Sequence, residues 1–173
     1  MKSWLRLTLI AMTVGGGFTG FVYTFEAIMN SSNQSFAILL IYIVFLALFA
    51  FVTASGLLFV HDAKQTGPLI VAPAIQVPCI YSSLFSYKFA TGLEGAVLLG
   101  SPNSLIGITF NGEMFLGGTW QFDLLKEQPW RSGINFVPLV LLIFLLNSLR
   151  NRRSSVENVD RTTTSNDQQA TTV

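Results

Sequence analysis

A chain of 173 residues that is 51% hydrophobic and only 11% charged, with a mean hydropathy of +0.55, cannot present a mostly water-facing surface; ordinary soluble domains carry roughly 25% charged residues. A net charge of +1 excludes an electrostatic case for nucleic acid, and the single cysteine, Cys79, excludes an intramolecular disulfide or a cysteine-rich metal centre. The composition predicts an α-helical integral membrane protein: a membrane domain over 1–150 with four transmembrane helices at about 5–28, 36–61, 68–89 and 132–149.

The first segment opens with Lys2 and Arg6 and stays apolar from Leu7 to Phe25. That is longer than the apolar region of a secretory signal, and no small-x-small cleavage site follows, so it reads as an uncleaved span. Gly16 and Gly20 form a small-xxx-small pair, a spacing that lets helix backbones approach closely. Glu26 lies one turn from the polar Asn30–Gln34 loop, which predicts an interfacial carboxylate.

Phe36–Val60 carries no charge and is long enough to cross hydrocarbon with some tilt. His61-Asp62 closes it. The lone histidine has no second imidazole or thiol nearby in sequence, so it reads as a helix-end residue and not a metal ligand.

The third stretch begins at Pro68, a residue suited to a first helical turn. Pro73 and Pro78 fall inside it and predict a kinked span. Gln76, Ser82 and Ser83 are the candidate lining of a cavity at that break. Tyr81, Tyr87 and Lys88 mark the expected exit into the interface.

Residues 92–125 are too polar and glycine-rich to span, and alternate instead. Leu93, Val97 and Leu99 share one side of a first strand. Leu105–Phe110 reads as a second, and Trp120, Phe122 and Leu124 as another. Asn111-Gly112 is the pair that best fits a tight hairpin turn. This outer β-rich insertion offers Phe110, Phe115, Trp120 and Phe122 as a contact surface.

The last span, 132–149, runs into Arg150, Arg152 and Arg153, and the polar tail 151–173 is expected to be disordered. Lys2, Arg6, Lys64, Arg150, Arg152, Arg153 and Arg161 fall on one side of a four-span layout, against Lys88, Lys126 and Arg131 on the other. The excess predicts cytoplasmic termini and an extracytoplasmic β-element, in a cell or inner membrane.

No phosphate-cradling loop, His-Glu-x-x-His pattern or cysteine pair is present. No catalytic residue, cofactor site or metal site is expected. The outer carboxylates Glu94, Glu113, Asp123 and Glu127 read as solvated charges. The leading expectation is a non-enzymatic, multi-pass membrane protein embedded in the lipid bilayer. Its partner-binding or assembly role would engage a membrane protein or a second copy through the β-element. The alternative is a small transporter or channel subunit with its cavity at the proline-broken third span. A membrane-embedded enzyme ranks last.

Overall fold

The computed structural model describes residues 3–30, 35–62, 65–100, 109–125 and 130–150. The expected disordered tail, 151–173, lies outside them. Helix α1 runs over Ser3–Asn30, with a π-helical segment at Ala11–Gly16. Helix α2 is Phe36–His61, its first turn capped by Ser35 Oγ, which accepts from the Ile38 N–H at 3.4 Å. Short helix α3 is Gly67–Ala74 and α4 is Phe136–Arg150. Between α3 and α4 come six strands: β1 Pro78–Tyr81, β2 Phe85–Ala90, β3 Leu93–Gly100, β4 Thr109–Leu116, β5 Thr119–Leu124 and β6 Arg131–Asn135.

The strands form one antiparallel sheet in the order β4-β3-β6-β1-β2-β5. This overturns the expected four-helix membrane bundle. Among the described residues only α1 and α2 are long and apolar enough to cross a membrane. The expected third helix, 68–89, fails because Pro73 and Pro78 stop the helical ladder after two turns. Beyond them Phe85, Tyr87 and Phe89 alternate with Ser86 and Lys88, a period of two that suits a strand. The expected fourth helix, 132–149, is extended through Asn135. Its helical remainder spans about 22 Å, short of the roughly 30 Å hydrocarbon thickness.

The expected turn at Asn111-Gly112 is also displaced. Those residues sit inside β4, opposite Leu98 and Val97. The chain reverses instead at Gly117-Gly118, where Gly117 adopts φ +133 and its N–H donates to the Gly92 carbonyl at 2.6 Å. A side chain at Gly118 would collide with the backbone of Gly20 in α1, so close packing, not local turn chemistry, selects this reversal.

Helices α1 and α2 cross as an antiparallel pair through small residues. Gly17 lies against Thr53, Gly20 against the ring of Phe49, and Gly56 against Thr13. Three apolar clusters hold the elements together. At one end Leu5, Leu9, Phe59, Leu69, Leu141 and Leu145 join all four helices. In the middle Phe45, Phe49 and Val52 of α2 meet Phe89, with Tyr87, Trp120 and Phe122 at the margin. On the other face of the sheet Cys79, Ala96 and Leu98 fill its interior. The strands therefore extend beside the first half of α2, and α3 and α4 beside its second half.

Candidate functional site

The cross-strand register sorts the sheet's side chains onto two faces. Tyr81 lies opposite Ser86 and Arg131, Gln121 opposite Lys88, and Glu113 opposite Ala96, so these side chains share a face with Cys79, Glu94 and Leu98. The other face carries Tyr87, Phe89, Trp120 and Phe122 against α2, and Leu93, Val97, Leu99 and Ile134 in the open.

On the first face Lys88 Nζ lies 2.7 Å from Glu94 Oε1 and 2.9 Å from Glu113 Oε2. Strands β2 and β4 stand four places apart in the sheet, roughly 19 Å if it were flat. One lysine cannot bridge that distance. The sheet must curl, with Lys88 spanning its concave side. The sequence permits the curl through two glycine turns: Gly92, at φ +81, joins β2 to β3, and Gly117 begins the link from β4 to β5. A Cβ at Gly16 would meet the Thr91–Gly92 backbone, so α1 seals this narrow end.

The cluster is deeply desolvated on one side. Glu94 is fully buried and Lys88 nearly so, whereas Glu113 is 41% exposed at the open side of the curl. Lys88 directs a hydrogen bond at Glu113. Its contact with Glu94 is an ion pair by distance. Among the described residues neither Glu94 oxygen accepts a hydrogen bond of good geometry, so this carboxylate is charge-balanced more than it is hydrogen-bonded.

Polar groups around the narrow end are satisfied locally. Gln76 Oε1 accepts from the Thr91 N–H at 2.8 Å and from the Thr91 hydroxyl at 3.0 Å, while Gln76 Nε2 donates to the Ala72 carbonyl. Asn135 Oδ1 accepts from the Gly95 N–H at 3.0 Å. The crevice beside Gln76 and Thr91 measures about 10 Å³, at the lower limit for a single water.

The residues singled out in the sequence scatter over this frame. Gln76 is buried where α3 turns into β1. Ser82 and Ser83 belong to the turn at the opposite end of β1, where Ser82 Oγ donates to the Phe85 carbonyl at 2.7 Å. Gln76 and the two serines thus flank opposite ends of β1. Gly16 and Gly20 are both buried at close contacts, Gly16 on the Thr91–Gly92 turn and Gly20 on Phe49. Trp120 stacks on Phe45 at 4.4 Å between ring centroids and donates Nε1–H to Thr24 Oγ1, and Phe122 packs nearby. Phe115 is exposed, and the side chain of Phe110 lies outside the described residues. Glu26 and His61 are exposed near opposite ends of the helical pair. No group of three His, Cys, Asp or Glu able to hold a metal occurs among the described residues.

The Lys88–Glu94–Glu113 cluster is not evident from sequence, where Lys88 is expected at the interface and both glutamates in solvent. Two signals are present: Lys88 sits between Tyr87 and Phe89, and Glu94 lies among Gly92, Gly95 and Ala96, small residues that let other elements pack closely over it. No protein-family model, curated protein or solved structure matches this chain.

Proposed function

We propose that this chain is a non-enzymatic membrane protein in which α1 and α2 cross the bilayer as a helical hairpin and the curled sheet serves partner binding or assembly. The bare apolar flanks of the two long helices carry this reading. Leu7, Phe18, Val22 and Phe25 are exposed on α1, and Leu40, Val44, Phe51 and Leu58 on α2. Faces of this extent in water would favour aggregation; in hydrocarbon they need no cover.

Orientation follows from charge. Leu5 and Leu9 share a cluster with Leu141 and Leu145, so α1 begins and α4 ends at the same end of the molecule. Lys2, Arg6, Arg150, Arg152 and Arg153 flank that end in sequence, which favours the cytoplasmic side for both termini. The non-enzymatic reading is supported by the buried carboxylate of Glu94 being held by Lys88 and by the burial of the single thiol, Cys79. Partner binding is supported by β4, where Met114, Phe115 and Leu116 are exposed and, among the described residues, only β3 is paired.

Alkaline carbonate extraction and photo-crosslinking in native membranes test this together. The protein should stay with the membrane pellet, and a crosslinker at Met114 or Phe115 should give a discrete adduct. Release into the supernatant contradicts the membrane reading. Retention without an adduct contradicts the partner role.

A further inference from the structure

Resting on the membrane reading above, we infer that the convex face of β3 and β6 is a lipid-contacting surface: the sheet lies inside the bilayer, not outside it. The depth of the contacts carries the argument. Gly16 is midway along α1 and packs on the Thr91–Gly92 turn. Phe49 is midway along α2, and its ring lies 4.8 Å from that of Phe89. If α1 and α2 cross a bilayer, the narrow end of the sheet sits near its midplane.

From that level β3 runs outward. Leu93 to Leu99 covers roughly 20 Å along the strand, against about 15 Å from midplane to headgroup. Leu93, Val97, Leu99 and the paired Ile134 are all apolar, all exposed and all on the convex face. They continue the lipid-facing flank of α4, where Val140, Ile143 and Phe144 are exposed. The outer rung pairs Gly100 with Arg131 and Arg131 with Tyr81, beside exposed Trp130, residue types suited to a headgroup layer. The charges obey the same sorting. Lys88 and Glu94 turn to the concave side, paired and away from lipid, as ionisable groups at membrane depth must. Glu113, Gln121 and Asp123 share that side, where Glu113 is 41% exposed. An unpaired strand edge is not tolerated in hydrocarbon, so the outer edges of both β4 and β5 are expected to be hydrogen-bonded or covered in the membrane.

The test uses the full chain with Cys79→Ala as background and a bimane label on single cysteines, Leu93→Cys, Val97→Cys, Leu99→Cys and, on α2, Val44→Cys. Each is reconstituted in phosphatidylcholine vesicles carrying quenchers at mid-chain or at the headgroup, or exposed to aqueous iodide. Mid-chain quenching should be strong at Val44 and Leu93, within about twofold of each other, and should fall from Leu93 through Val97 to Leu99 as headgroup quenching rises. Strong quenching at Val44 with Leu93 and Val97 quenched by iodide alone overturns the inference and leaves the membrane reading standing. Iodide quenching at all four overturns both. Shielding of Val97 from every quencher, with crosslinking between copies, also overturns it, because a protein then covers the face.

Discussion

Lys88 Nζ lies 2.7 Å from Glu94 Oε1 although their strands stand three places apart in the sheet. The two residues straddle the Thr91–Gly92 turn, and their pairing across the concave side is what the curl makes available. Removing Lys88 would leave a fully buried carboxylate uncompensated. We expect Lys88→Met to cost about 3–5 kcal/mol, read by denaturant unfolding in detergent micelles. The double variant Lys88→Met/Glu94→Leu should recover most of that loss, and Glu113→Gln, at a 41% exposed partner, should cost about 1 kcal/mol or less. A double variant no more stable than Lys88→Met would show that the charge pair is not the source of the effect.

Gly15 and Gly16 are adjacent in sequence and opposite in consequence. A Cβ at Gly16 meets the Thr91–Gly92 backbone, whereas one at Gly15 meets nothing within 4 Å. Gly16→Ala should destabilise by about 1–3 kcal/mol or more through overpacking. Gly15→Ala should be neutral or stabilising by up to about 1 kcal/mol, the ordinary helical preference for alanine. Thermal unfolding of the two variants side by side decides it, and equal effects would contradict the close seal of α1 on the sheet.

Gln76 holds the Thr91 turn through its Oε1 and the end of α3 through its Nε2. Gln76→Leu keeps the volume but strands the Thr91 N–H and hydroxyl, at about 1–3 kcal/mol. Hydrogen exchange should report it as faster exchange at the Thr91 amide. If that amide stays protected, another acceptor replaces the glutamine.

Local pattern revealed the pieces of this fold better than their assembly. The alternation of Leu93, Val97 and Leu99 locates β3, and the uncharged run from Phe36 locates α2. Residues 68–89 misled because averaged hydropathy cannot separate a helix from a short helix followed by aromatic strands. The prolines and the Phe85–Phe89 alternation together carried the distinction. Asn111-Gly112 has the better turn chemistry, yet Gly117-Gly118 is the reversal, because only glycine fits against Gly20 of α1. That contact joins residues far apart in the chain, and no local signal encodes it. The Lys88–Glu94 pair was hidden for the same reason: its partners are visible in sequence only once the turn at Gly92 is known.

As proposed, a paired sheet lies beside the two long helices within the membrane. Val97 and Ile134 are cross-strand partners, both exposed on the convex face. In a Cys79→Ala background, Val97→Cys and Ile134→Cys together should form an intramolecular disulfide on mild oxidation in native membranes, since directly opposed strand residues meet the required spacing. Each single cysteine should resist a membrane-impermeant maleimide until detergent is added. No disulfide, with both single cysteines labelled from the aqueous phase, would mean that these strands are not paired in this register and do not lie in lipid.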